Sequence, residues 1–452
     1  MNIRWMPLIV TGALLAAGLA PATEINQDVP AAAPAPAPAH LSLDDAISEA
    51  LAASPGLQAV GSTAAAAESE AKAARRQRWG TLDGVASYNY FSDDIIVRPI
   101  SRQLLAGGFA SLPFDDQQWH YGVVAEVPLY VGGKLSNGIR IATLSSEKSQ
   151  ALLEGTRWQV RFNVISLYAA AQGLNAVDDA LARQIAALES TTSHLELMVE
   201  AGKRPDVDRL KVVEELEAAR ADRAAVLANR RKVGALLLSL MGREPTGRVE
   251  VDPLPRAMPK LTEPVADLRA GLDEVSTIRQ AQFALEQAES RVGVATSEFL
   301  PKFVARGNYM VNAGQSLDRN YNTWAVSLGV LVPLFHGGAR VEHRAAAKEK
   351  RAAAEHALEK AQLDTAAKLE DGLAKLDAAH IAVHAAEARV AAGTEAARIE
   401  QIRYDTGAST IEDLLRARAR EQGARADLAR ARAQALTAGA HINSIVEKEA
   451  VL

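Results

Sequence analysis

Val127-Pro128-Leu129-Tyr130-Val131-Gly132-Gly133 closes an alternating, strand-like run and opens a long segment rich in Ala, Glu, Lys and Arg. Val332-Pro333-Leu334-Phe335-His336-Gly337-Gly338 does the same 205 positions later. Each long segment ends at a glycine ahead of an acidic restart, Gly202 before Asp208 and Gly407 before Asp413, again 205 positions apart. The distance from double glycine to terminal glycine is 69 positions in both copies. One offset shared by separate landmarks marks a duplicated architecture. Equal lengths also require the far ends of the two helices to finish at one level.

Working outward, the first repeat covers residues 41–241. It opens with a helix from Leu43, N-capped by Ser42, with Asp44 and Asp45 at the positive helix start and an interruption at Ser54-Pro55-Gly56. Strands are expected at about 84–92 and 119–131, a long helix over 134–201 and a return helix over 207–241. A proline-rich linker, 242–264, leads to the second repeat, 265–447. There the helix 265–299 precedes strands at about 301–312 and 322–335, a long helix 339–405 and a return helix 410–447. At 1.5 Å per residue each long helix reaches roughly 100 Å, beyond what an ordinary globule accommodates.

The returning strands alternate. Trp119, Tyr121, Val123, Ala125, Val127 and Leu129 share one face, and Trp324, Val326, Leu328, Val330, Val332 and Leu334 do the same in the second copy. Thr323, Ala325, Ser327 and Gly329 lie opposite. An apolar face backed by small and polar residues suits strands between lipid and a watery lumen; a hairpin on a soluble core is the alternative. Four strands cannot close a barrel, and a sheet with free edges is excluded from hydrocarbon. Three copies would give twelve strands with an aqueous lumen, whereas the eight strands of two copies would be filled by side chains. Pro128 and Pro333, lacking a ladder donor, are expected to end pairing where the chain turns into helix.

Composition excludes several classes. Aromatics are 5% and charged residues 23% of 452, so narrow Ala-lined helix seams fit better than a thick aromatic core. The net charge of −5, with both signs interspersed, argues against nucleic acid as a partner. Cysteine is absent, which removes disulfides, thiolate metal sites and a lipid anchor on an N-terminal cysteine. Residues 1–22 read as a signal peptide: Arg4, an apolar run from Met6 to Ala20, and Ala20-Pro21-Ala22 as a small-x-small cleavage site. That run is shorter than the roughly 20 residues needed to span a membrane. Residues 23–40 form an Ala/Pro-rich leader. No Gly-x-Ser-x-Gly or Gly-Lys-Ser/Thr occurs, so neither a hydrolase elbow nor a phosphate cradle is expected, nor an enzyme. His380 and His384 are spaced to hold a metal but lack the glutamate of a His-Glu-x-x-His motif and, amid Ala and Glu, read as solvated helix surface. No cofactor and no metal is expected. Trp119 and Trp324, at the starts of the returning strands, read as interface-belt aromatics.

The Leu43-Asp44-Asp45-Ala46-Ile47 opening with Ser54-Pro55, the Val-Pro-Leu-aromatic-x-Gly-Gly junctions and the segment Gln401 to Asp413 together resemble the outer-membrane efflux protein (TolC-like) family over residues 41–447. The resemblance implies a mostly helical homotrimer, with a twelve-stranded β-barrel in outer-membrane lipid continuous with a long α-helical barrel in the periplasm. It implies a passive exit duct of a tripartite efflux or type I secretion system, served by a periplasmic adaptor and an inner-membrane pump of RND, ABC or MFS type. Asp413 matches an aspartate that forms a constricting ring in the type member, and Tyr404 and Asp208 match partners that hold its tip closed. Three such carboxylates would repel and raise an apparent pKa. There are departures: the position matching the latch arginine is Ser409, and the second ring aspartate corresponds to Arg416, free to pair with Asp413 or Glu412. Asp208 and Asp413 also fit as ordinary helix-start acids. Gly202 and Gly407 read as helix C-caps, and the resemblance implies that their turns, with Lys203, Arg204 and Ala408, dock the adaptor. The basic character of Lys203 and Arg204 is not explained by the family. The competing class is a periplasmic coiled-coil adaptor or scaffold with soluble hairpins.

Overall fold

The Ser42 hydroxyl oxygen accepts the Asp45 N–H at 3.1 Å, and the first helix begins there, as its sequence requires. The computed structural model describes residues 39–97, 102, 112–246, 249–315 and 320–451; the expected signal peptide and most of the leader lie outside them. β1 (Ala39–Leu41) leads into α1 (Leu43–Ala53) and, after the break at Ser54, α2 (Pro55–Arg76). Then come β2 (Thr81–Ile96), β3 (Phe114–Tyr130), α3 (Lys134–Glu200) and α4 (Asp206–Leu240). β4 (Val249–Val251) and α5 (Val265–Ala270) occupy the join. The second copy follows as α6 (Ser276–Ser297), β5 (Lys302–Gly314), β6 (Tyr321–Leu331), α7 (Ala339–Asp405) and α8 (Ile411–Val446).

α3 and α7 are each 67 residues long, and α3, α4, α7 and α8 all start in the 205-residue register. Among the described residues no helix is apolar enough, over sufficient length, to cross a membrane. Three of the four buried clusters among the described residues hold the main elements together. One joins Leu41, Ala46, Val164, Tyr168 and Leu237 around α1, α3 and α4. A second joins Leu268, Ile278, Leu369 and Ile442 around α5 to α8. The third lies at the helical tips.

Some expectations need correction. The strands of the first hairpin run longer than 84–92 and 119–131, whereas β6 stops at Leu331 rather than 335. Pro128 does not end pairing: it opposes Val304 within the ladder, and the irregularity falls between it and Tyr130, a bulge that accommodates the missing N–H. The helix expected over 265–299 is broken by a 3₁₀ turn at Gly271–Glu274. The linker 242–264 is not free coil: β4 pairs in parallel with β1, and Leu261 bridges Val451. The hydroxyl of buried Tyr168 accepts the Asp252 N–H at 3.0 Å and lies 2.9 Å from both Leu41 O and Asp252 Oδ2. Burial pushes this phenol up to about 12, so it remains a donor there. His380, read as solvated, lies with its Nε2 2.8 Å from the Pro259 carbonyl and so also ties the linker down. Among the described residues no cluster of three metal-ligating side chains exists.

The four long strands form one antiparallel sheet in the order β2-β3-β5-β6. Its register puts Val123, Tyr309 and Trp324 in one row, and Ala125, Gly307 and Val326 in the next. The two alternating sets, as far as Val127 and Val330, therefore lie on a single continuous face, where Trp324 is 75% and Val326 76% exposed. The other face carries Glu126 paired with Arg306 at 2.8 Å and His120 beside Asn312 at 2.8 Å. The pleat has sorted an apolar side from a polar one.

Candidate functional site: the paired helical tips

Both long helices end in the same device. Gly202 takes a φ of +66° and donates its N–H to Val199 O at 2.9 Å, while the Lys203 N–H reaches Met198 O at 2.9 Å. Gly407, at φ +77°, donates to Tyr404 O at 3.0 Å, and the Ala408 N–H to Arg403 O at 2.7 Å. These are the paired bonds of a glycine helix stop, and they satisfy carbonyls that the helix end leaves open. Gly202, Lys203, Gly407 and Ala408 are all exposed.

The restarts differ. α4 begins after Pro205 with no side-chain cap. α8 begins with a reciprocal box: the Asp413 N–H donates to Thr410 Oγ1 at 3.2 Å and the Thr410 N–H donates back to Asp413 Oδ2 at 3.3 Å, with the Thr410 hydroxyl donating to the same oxygen at 2.7 Å. These Thr410 hydrogen bonds hold the Asp413 carboxyl below the usual carboxylate range, opposite in direction to what a ring of like charges alone would impose. Arg416 pairs with Glu412 at 2.9 Å, not with Asp413.

The two tips meet. The Arg204 guanidinium lies 4.7 Å from the centroid of the Tyr404 ring, and its Nη2 is 3.4 Å from the Tyr404 carbonyl. Lys211 pairs with Glu412 at 3.5 Å. Between them Leu195, Val212 and Leu216 of the first hairpin pack with Tyr404, Ile411 and Leu414 of the second. The Tyr404 hydroxyl is enclosed without a hydrogen-bond partner among the described residues, as is Ser409 Oγ. Burial chiefly raises the Tyr404 pKa; nearby Asp208 and Asp405 add to the rise and Arg204 opposes it. The structure thus joins Tyr404 to Arg204 and brings Asp208 within their field, leaving Asp413 to its cap. Arg204, expected in the adaptor-docking turn, is half-buried against Tyr404 of the other tip, a contact that sequence reasoning missed. A signal was present: Arg204 and Ser409 are 205 positions apart, so the arginine missing from one tip stands at the equivalent place in the other.

At the opposite ends of α3 and α7, Gly132, Gly133, Gly337 and Gly338 all adopt positive φ, from +58° to +83°. Only glycine turns there from strand to helix without strain. Pro333 contributes its carbonyl, which accepts from Arg340 Nη1 at 2.9 Å.

A sequence model of outer membrane efflux proteins matches residues 46–243 and 271–446, both repeats of the chain. The chain belongs to the outer membrane efflux protein family. That family consists of transport ducts, not enzymes, and membership makes this chain an outer-membrane exit duct of an efflux system. Its fold is similar to those of solved outer membrane proteins and channels. They include the CmeC outer membrane channel of Campylobacter jejuni (TM-score 0.79, 16% identity, covering 90% of this chain and 86% of that one). VceC of Vibrio cholerae is similar as well (0.75, 18%, 90% and 96%). So is the MtrE outer membrane channel of Neisseria gonorrhoeae (0.75, 20%, 90% and 89%). No curated protein matches the chain in sequence. The family match sets aside the alternative of a periplasmic adaptor with soluble hairpins.

Proposed function

We propose that three copies of this chain close a single twelve-stranded barrel in the outer membrane, continuous with a periplasmic tunnel built from α3, α4, α7 and α8 of each copy. The observation that carries this reading is the β2-β3-β5-β6 sheet, apolar across one face and, among the described residues, unpaired along both outer strands. Hydrocarbon offers no partner to unpaired N–H and C=O groups, so neighbouring copies must supply them. An N-terminal signal peptide exports the chain. Substrate enters passively from an inner-membrane pump through a periplasmic adaptor.

In this reading Tyr404, Asp208, Arg204 and Asp413 belong to the entrance, with Ser409 and Arg416 beside them. The exposed turns at Gly202, Lys203, Gly407 and Ala408 are the docking surface for the adaptor. Because the chain contains no cysteine, Lys203→Cys and Ala408→Cys introduce single, unambiguous thiols. Each should crosslink in the periplasm to an adaptor, while deletion of the gene sensitises the cell to some members of a broad toxicant panel. Absence of any tip crosslink, together with unchanged sensitivity, contradicts the proposal.

A further inference from the structure

The two repeats build the same helix seam from opposite chemistry. In the second, Val383 and Ala435 are buried together, with Leu428 packed against them, between α7 and α8. The positions 205 residues earlier, between α3 and α4, are Asp178, Arg230 and Arg223. Asp178 is only 7% exposed. It accepts from Arg223 Nε at 2.7 Å and from Arg230 Nη1 at 3.3 Å. Arg231, whose counterpart is Leu436, lines the same cleft with Leu227, Gly234 and Val249, and forms no ion pair or hydrogen bond among the described residues.

The apolar seam shows that this junction packs without charge. Burying Asp178 in its place costs stability unless its charge is matched, because ions leave water at a penalty that imperfect pairing does not recover. Arg223 and Arg230 match it from partly exposed positions, and the exposed Arg231 brings the lining of the cleft to three guanidiniums and one carboxylate, a net of two positive charges. Each guanidinium carries five N–H donors, of which Asp178 engages one from Arg223 and one from Arg230. The cavity they line is about 210 Å³. That is below the roughly 300–1,000 Å³ of sites for drug-sized ligands, so transported drug is excluded as the occupant. Asp178 lies 22 residues before the end of α3, on the order of 30 Å from the tip turn, so the cleft is separate from the entrance.

We propose that the Arg223–Arg230–Arg231 cleft binds a small oxyanion, held by guanidinium forks whose planar donors match phosphate and carboxylate oxygens. The ion has two available sources: free inorganic phosphate, or a carboxylate from a neighbouring copy of this chain. The test uses the full-length protein in detergent, with thermal unfolding followed against inorganic phosphate at constant ionic strength set by sodium chloride. Arg231→Gln is the main variant, since it leaves both Asp178 pairs in place. A free anion gives saturable stabilisation, with the half-saturating phosphate concentration at least about tenfold higher in Arg231→Gln and partly restored in Arg231→Lys. A neighbour's carboxylate gives no phosphate response, but lowers the temperature at which the Arg231→Gln oligomer dissociates in dodecyl sulfate. Wild type and Arg231→Gln behaving alike in both measurements overturns the proposal, leaving the cluster a structural ion network.

Discussion

Glu447 accepts the backbone N–H of Ser276 at 2.9 Å, and the Ser276 hydroxyl bonds to the same carboxylate, so the residue that ends α8 caps the start of α6. Glu447 holds a φ of +53° and is the only non-glycine residue with positive φ among those described. The position 205 residues earlier is Gly242, at φ +74°, where a Cβ would lie 2.6 Å from Ala53 O. Where the first repeat butts α4 against α1 and α2 through a glycine, the second accepts roughly 1–2 kcal/mol of backbone strain to place a carboxylate over open N–H groups.

This joint should register pH. Burial raises the Glu447 pKa more than the Ser276 bonds lower it; Glu154 adds to the rise and Arg279 opposes it. The folded chain therefore holds this proton more tightly than the unfolded chain. The resulting stabilisation is full below the usual carboxylate range and is lost as pH climbs through the raised value. Thermal unfolding against pH should show wild type losing stability relative to Glu447→Gln between acid and neutral pH. Parallel curves would mean that the carboxylate is solvated in the assembled protein.

Arg204→Ala should loosen the two tips from each other. A cation over an aromatic ring contributes about 1 kcal/mol at a partly exposed site, equivalent to about fivefold in a local opening equilibrium. Amide exchange in the segments around 201–206 and 402–408 should accelerate by that factor, with exchange in β2 to β6 unchanged. Uniform acceleration across the chain would mean a general loss of fold, and no acceleration would remove Arg204 from the clasp.

The junction glycines, alike in sequence, should respond unequally. A Cβ at Gly132 would sit 2.8 Å from Ser297 O and 2.9 Å from Leu300 Cβ, whereas at Gly337 nothing lies within 4 Å. Gly337→Ala should cost about 1–2 kcal/mol from positive φ alone, and Gly132→Ala more, since backbone and β-carbon atoms must also shift. Urea midpoints of the two variants test the order; equal midpoints contradict it.

Asp413 has a structural role and a proposed gating role, and Thr410 separates them. Thr410→Ala removes the side-chain acceptor of the Asp413 N–H, at a cost of about 1 kcal/mol, but keeps the carboxylate. Asp413→Ala removes the carboxylate but keeps that backbone N–H bond to Thr410 Oγ1. Single-channel recordings should show larger conductance or weaker cation block for Asp413→Ala only. Equal effects of the two substitutions would reduce Asp413 to a cap.

The duplication and most elements were legible because they rest on local chemistry: Ser42 caps, Gly202 and Gly407 stop helices, and alternation from Trp324 to Val330 marks a face. What escaped depends on partners distant in sequence. β4 pairs with β1 across 210 positions, and nothing in Val249–Val251 names Ala39–Leu41 as its partner. The bulge beyond Pro128 arises from its register against β5. At the tips, turn chemistry disclosed the glycines, but the Arg204–Tyr404 contact required knowing that the two hairpins touch. His380 misled for the same reason, since its carbonyl partner lies in the linker.

The central claim is that one chain's sheet is incomplete and that copies finish it. Native mass measurement of the protein released from outer membranes into detergent tests this most directly. The account predicts a particle of three chains that persists on dilution and loses solubility when detergent is removed. A single chain, soluble and stable in detergent-free buffer, would contradict it.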